Sequence, residues 1–262
     1  MKLSTAPPKF CFYGHTNESL WAVVAGLNVT RKDRILAICG SGDQAFALSE
    51  FAREVVTVDR SKEQIAYAQR RLEALRDGRF GDFFPLFDDP AFPHIKDERF
   101  AEPRNDGDKL RYLHFMAAVK STEPGRATWS GSVRYFLGEG IPFLEMPYGI
   151  FYDGERPFRI QRELHRVSFV HSTLEDVLRK DSNFSRVYLS NAISRWHANE
   201  DLRAILSSAE CSLPSGCLLY MTGVRATTVC SLKGWTLEEN LTRKAREAEK
   251  PRSWQPMVYE KE

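Results

Sequence analysis

No apolar run in these 262 residues is long enough to cross a bilayer, and the opening stretch MKLSTAPPKFCFYG has prolines but no apolar core of signal-peptide length. No integral membrane segment is therefore expected. Cysteine is scarce: Cys11, Cys39, Cys211, Cys217 and Cys230 form an odd set without CxxC spacing. That argues against a zinc site, or any bound metal, and for a reduced, cytoplasmic protein. A large excess of one charge is also missing. Lys plus Arg number 37 against 35 Asp plus Glu, a net charge of +2, so nothing in the balance asks for nucleic acid, and none is expected as a partner. The length suits one substantial core, a single domain carrying an insertion, and leaves the oligomeric state open.

What is present is concentrated between Arg34 and Asp59, RILAICGSGDQAFALSEFAREVVTVD. Ile35 to Cys39 is a short apolar run flanked by turn residues, the pattern of a strand buried on both faces of a parallel sheet. A turn follows at Gly40-Ser41-Gly42-Asp43. Ala45, Phe46, Leu48 and Ser49 with Ala52 then recur at helical spacing, and Val55 to Val58 is a β-branched strand that stops on Asp59. Together they make one βαβ unit. Its glycines let the backbone approach a ligand closely, and the terminal carboxylate can accept both hydrogen bonds of a ribose diol. A nucleoside-bearing cofactor is expected. Gly40 to Ala45 also satisfies the GxGxxA dinucleotide fingerprint, which keeps NAD as an alternative. Two features favour S-adenosylmethionine. Asp43 is a poor neighbour for a pyrophosphate but opposite in sign to a sulfonium and an ammonium, and no second regular run of βα units follows Asp59 directly.

Before this unit, Leu20, Val23, Val24 and Leu27 share a helical face, with Asn17 as N-cap. A helix there would bring Tyr13, His15, Asn17 and Glu18 toward the reacting end of the cofactor. After it, Ser61 caps a helix that Gly78 ends. From 79 to 166 the alternation breaks into acidic, proline-containing and aromatic pieces. So long a passage is an insertion, too aromatic to stay unpacked. Its aromatics, Phe83, Tyr135 and Phe136 among them, suit a lid, a substrate pocket or simply a small core. Strands resume at Val167 to Val170, Arg186 to Leu189 and Cys217 to Thr222, with helices at 174–179 and about 199–209. Loops at the carboxyl ends of parallel strands converge on the cofactor crevice. His171, Ser172 and Thr173 should lie near the adenine and Ser190, Asn191 and Ala192 near the reacting centre, opposite Cys39, Gly40, Ser41, Gly42, Asp43, Asp59 and Arg60. The expected architecture is α/β, a methyltransferase-like Rossmann sheet with a mainly helical, aromatic-rich insertion after the second strand. Residues 1–30 form an arm and helix, 31–78 and 167–230 the cofactor domain, 79–166 the lid or acceptor pocket, and 231–262 a C-terminal tail.

As an ordered set these pieces resemble the S-adenosylmethionine-dependent 3-amino-3-carboxypropyl transferases of betaine-lipid synthesis and their relatives. ILAICGSGDQA is similar to the family's first motif, with Gly40-Ser41-Gly42 reordering the usual Ser-Gly-Gly. VTVDRSKEQIAYAQRRLEAL resembles its second strand and helix, and FGDFFPLFD, GSVRYF, VYLSNAIS and YGHTNESL its aromatic, insertion, fourth-strand and N-terminal segments. The resemblance implies attack by an acceptor nucleophile on the γ-carbon of the methionine moiety. It also implies that Arg134 and Tyr13 bind the carboxylate of the transferred chain, that Asn191 and Ser190 orient it, and that Glu18 pairs with its ammonium or acts as base. Ala37 stands where ordinary methyltransferases carry an acid, which suits a methionine half held differently. Nothing reads as a lipid-docking helix, so the expected acceptor is a small molecule or peptide. Methyl transfer and cofactor binding without catalysis are the alternatives.

Overall fold

The computed structural model describes residues 16, 18–79, 83, 135–136, 155–190, 205, 207–209, 212–223, 232–249 and 254–262. Helix α1 runs Leu20–Leu27 and is followed by strand β1, Arg34–Ile38, helix α2, Asp43–Ser49, strand β2, Glu54–Asp59, and helix α3, Lys62–Arg76. Helix α4, Arg156–Glu163, leads through a 3₁₀ turn at Leu164–Arg166 into β3, Val167–His171. Then come α5, Leu174–Lys180, β4, Arg186–Ser190, β5, Leu218–Gly223, β6, Trp235–Leu237, α6, Glu239–Glu249, and β7, Gln255–Lys261. Residues 205 and 207–209, inside the helix expected near 199–209, are helical.

The strands form one seven-stranded sheet in the order β3-β2-β1-β4-β5-β7-β6. Strands β3 to β5 are mutually parallel, and β7 runs antiparallel to both its neighbours, β5 and β6. The chain leaves β1 toward β2 on one side and returns to β4 on the other, so the topological switch point lies between β1 and β4. Side chains alternate across the sheet as strand geometry requires. Ile35, Ala37, Tyr188 and Tyr220 face the core built on α1, α2 and α6, while Leu36, Val187, Leu189 and Leu219 face the core that takes in α5.

Local chemistry explains the boundaries. Ser19, not Asn17, caps α1: its hydroxyl accepts from Ala22 N at 3.3 Å, and Asn28 ends the helix in the left-handed region. The expectation of Asn17 as cap is corrected, since the Ser19 oxygen lies three residues ahead of the amide it accepts from. Ser61 caps α3 and Gly78, at φ 72°, follows its end. The C-terminal tail, expected either to supply a last helix and strand or to be partly mobile, joins the sheet through its described residues, 232–249 and 254–262. They supply β6, α6 and β7, and α6 is tied to the start of α1 by Ser19 N to Glu249 Oε2 at 2.9 Å and Ser19 Oγ to Ala248 O at 3.1 Å.

The described aromatics of the insertion are core residues. Phe83, Tyr135 and Phe136 are buried, with Trp21 and Tyr135 edge to face at 5.5 Å and Phe83 and Phe136 at 5.1 Å. Glu50 pairs with Arg156 and Arg159 at 3.3 and 2.7 Å, fastening α4 to α2. Helix α1 meets the sheet through a small residue: a Cβ on Gly26 would stand 2.8 Å from the Tyr220 ring and 3.1 Å from Ala245 Cβ. Gly26→Ala should therefore cost about 1–3 kcal/mol through overpacking, outweighing the better helix propensity of alanine. Urea denaturation checks this.

Candidate functional site

Two glycines shape the turn after β1, and they do different things. Gly40 has φ 48° and open space where a Cβ would point, so the backbone there lies bare at the carboxyl end of the sheet. Gly42 has φ 87° and would drive a Cβ to 2.4 Å from the Phe46 ring, so it serves packing. Cys39, buried, extends the pairing with β2 through its N–H to Val58 O at 2.9 Å. Helix α3 props the turn, with Gln64 Nε2 donating to Gly40 O at 2.6 Å.

Beside the turn, Asp59 ends β2. One carboxylate oxygen accepts from Ser61 N at 2.9 Å, and the N–H groups of Gly40 and Arg60 also point to the carboxylate. Partial burial nevertheless pushes its carboxyl above the ordinary carboxylate range. Ser172 N donates to Asp59 O at 3.1 Å, and exposed His171 places a ring nitrogen 3.0 Å from Arg60 O. The β1, β2 and β3 ends thus bring Gly40, Asp59, Arg60, His171 and Ser172 together. Thr173 joins them in space, but its hydroxyl caps α5, accepting from Asp176 N at 3.2 Å.

At β4 the backbone itself is unusual. Ser190 adopts φ 59°, and the β4–β5 register slips between Tyr188 and Ser190. A left-handed serine is held at a cost of about 1–3 kcal/mol, and such strain concentrates at functional sites. Its hydroxyl donates to Glu18 Oε1 at 2.5 Å, and Tyr188 donates to Glu18 Oε2 at 3.1 Å. Glu18 is 0 % exposed. The Tyr188 and Tyr220 rings sit 5.7 Å apart, and burial drives both phenols well above their ordinary range, the Glu18 charge adding to the effect. Two residues earlier, Thr16 N donates to Asp43 Oδ2 at 2.8 Å and Gln44 Nε2 donates to the Thr16 hydroxyl. The segment before α1 therefore bridges the β1 turn and the end of β4, across the switch point.

Asp43 is not where the sequence argument put it. Its carboxylate is fully buried against Arg71, 2.8 Å away, and accepts from Ser41 Oγ at 2.8 Å. Arg71 also donates to Ser41 O at 2.7 Å and Phe83 O at 3.3 Å. The charge expected to face a sulfonium is neutralised inside the protein, because a guanidinium from α3 reaches under the turn. Tyr13, Arg134, Asn191 and Ala192 lie outside the described residues. The sequence reading missed Tyr188. Its signal was available, since i and i+2 on a strand share a face and Ser190 was already a candidate.

The strand order, with β7 antiparallel, is that of the methyltransferase-like Rossmann fold. No family model and no curated protein matches the sequence. Among solved structures, an rRNA methylase from Streptococcus thermophilus is 6% identical over 92% of this chain and 93% of its own, with a TM-score of 0.43. The rRNA methyltransferase AviRa from Streptomyces viridochromogenes is 13% identical over 98% and 88%, with a TM-score of 0.44. Precorrin 8w decarboxylase from Methanobacterium thermoautotrophicum is 10% identical over 92% and 88%, with a TM-score of 0.42. One expectation is corrected at this point. The exclusion of a nucleic-acid partner was drawn from a near-zero net charge, which says nothing of local patches, and it is withdrawn. Among the described residues no helix is long and apolar enough to cross a membrane.

Proposed function

We propose that this chain is an S-adenosylmethionine-dependent transferase that moves the 3-amino-3-carboxypropyl group to a nucleophilic acceptor. What supports the choice of group is the resemblance of the sequence motifs; Glu18 supports a donor that carries an ammonium. Position 37 of β1 is a buried core alanine, so the carboxylate for an ammonium comes from outside the sheet, fixed on Tyr188 and Ser190 beside the switch point. The residues present fit the cofactor. Gly40 leaves open space at the turn, and Asp59 stands at the end of β2, where a ribose diol can be accepted. When bound, S-adenosylmethionine would supply an electrophilic γ-carbon joined to a sulfonium leaving group, so that transfer of the chain to the acceptor would release methylthioadenosine with the electron pair of the broken C–S bond. The protein's own part is to align the two reactants and keep water out.

Methyl transfer is the second reading, favoured by the strand order itself. The two give different products. Incubated with S-adenosylmethionine and, in separate reactions, small-molecule and RNA fractions of its host, the purified protein should release methylthioadenosine, read by mass spectrometry. S-adenosylhomocysteine would establish methyl transfer instead, and the fraction that supports turnover would give the acceptor class.

A further inference from the structure

We infer that a groove at the amino ends of β1, β2 and β3 anchors the phosphodiester backbone of a single-stranded nucleic acid, with the Phe158 ring as a platform for one of its bases. The inference goes beyond the transferase reading and stands whichever group the protein transfers.

The groove has a volume of about 790 Å³ and is lined by Arg31, Arg53, Glu54, His165, Arg166 and Ser168. Glu54 opens β2 and Asp59 ends it, so at about 3.3 Å per residue the groove lies about 17 Å from the acid at the cofactor turn. A group held there is no part of the cofactor. The acidic side chains around it are already engaged. Glu54 accepts from Arg34 Nε at 2.8 Å, Asp181 pairs with the same guanidinium at 2.6 Å, and Glu163 is shared between Arg31 at 3.0 Å and Arg166 at 2.8 Å. The last two contacts hold a pair of guanidiniums in place. Arg53 is exposed, and its side chain has no hydrogen-bond or ion-pair partner among the described residues; the same holds for Lys32, next to Arg31 in the chain. A guanidinium fork matches two phosphate oxygens at once, so arginines gathered around one concavity suit a phosphate.

The solvent face of α4 continues the site. Pro157, Ile160 and Leu164 are buried while Phe158, Arg162 and His165 are exposed, so these three share one face at spacings of four and three. Phe158 is the large apolar side chain left exposed among the described residues, at 40 %. At about 1.5 Å per residue it stands about 10 Å along the helix from His165, with Arg162 between them. A ring, a guanidinium and a cationic groove in succession are what a single strand requires: the charges follow its phosphates and the ring takes the face of a base. A bilayer suits the place less well, because the guanidiniums converge on a concavity that a flat surface does not enter.

Fluorescence anisotropy with a labelled decauridylate tests the inference, uracil being chosen so that the nucleoside site does not compete. Wild-type affinity should fall on the order of 10-fold between about 50 and 200 mM salt. Arg53→Ala should weaken binding about 5-fold and lower the salt slope by about 0.7, the share of one phosphate contact on a single strand. Phe158→Ala should weaken it on the order of 10-fold and leave the slope unchanged, since stacking carries no charge. Both side chains are exposed, so circular dichroism of the variants should match the wild type. Lys233→Ala removes an exposed cation beside β6, at the other edge of the sheet, and should change nothing. A loss for Lys233→Ala equal to that for Arg53→Ala would reduce the effect to diffuse charge and overturn the inference. Failure of the wild type to bind the oligomer at low salt would also overturn it, as would equal affinity for uridine monophosphate. Phosphatidylglycerol vesicles held through Arg53 in place of the oligonucleotide would make the surface a membrane contact, and the inference would fall.

Discussion

Replacing Arg71 with alanine is expected to destabilise the protein by about 3–5 kcal/mol, a fall in melting temperature on the order of 10 °C for a chain of this size. The guanidinium is almost fully enclosed and joins three parts of the molecule. It pairs with Asp43 at the start of α2, donates to Ser41 O in the glycine turn, and donates to Phe83 O while lying 4.4 Å from the Phe83 ring. Taking it away leaves the Asp43 carboxylate buried with Thr16 N and Ser41 Oγ as its donors among the described residues, which is the costly way to break a buried pair. Arg71→Lys should fall between, since an ammonium restores the charge without the fork that reaches both carbonyls. Arg71→Met combined with Asp43→Asn should recover part of the loss by removing the stranded charge. Differential scanning calorimetry of the three variants and the wild type checks the order. A shift below about 2 °C for Arg71→Ala would mean that the carboxylate relaxes onto water and that the pair does not brace the turn.

That pair also marks where the sequence ceased to be legible. The βαβ unit could be read because its signals are local: β-branched runs, glycines and a terminal acid within 26 residues of chain, Arg34 to Asp59. Strands β3, β4 and β5 followed from short apolar runs between turn residues, and the cap at Ser61 from a side chain three residues ahead of the amide it accepts from. The site was legible in part for the same reason. Gly40, Asp59 and Ser190 sit at strand ends, and strand ends in a parallel sheet share one crevice. What escaped depends on contacts between distant segments. Nothing near Asp43 announces that residue 71 of the next helix will neutralise it. Nothing in EENLTRKAREAE says that α6 will pack on α1, because its charged residues outnumber its apolar ones, and the match is made by Ala245 and Ala248 at positions too small to stand out. Glu18 was placed near the site by its distance from α1, but the two hydroxyls that hold it are 170 and 172 residues away.

Asp59→Ala should weaken S-adenosylmethionine binding by 100-fold or more. Two charge-assisted hydrogen bonds from a ribose diol are worth about 1.5–3 kcal/mol each, and alanine forfeits both. Asp59→Asn keeps one acceptor oxygen and loses the charge, so an intermediate loss is expected. The wild-type pH dependence follows from the same carboxyl. Burial raises it above its ordinary range, and the diol requires the ionised form, so affinity should be full above that raised value and fall as the pH drops through it. The acid limb should therefore lie above that of an ordinary aspartate, and it should vanish from whatever binding remains in Asp59→Ala. For stability the sign is reversed: an acid whose carboxyl is raised in the folded state favours folding while protonated and loses that contribution as the pH rises through the raised value. Removing the side chain should thus leave the fold intact at neutral pH, where circular dichroism and calorimetry can be run together. Unchanged affinity in a folded Asp59→Ala protein would show that the end of β2 does not meet the ribose, and the nucleoside would have to be sought elsewhere in the crevice.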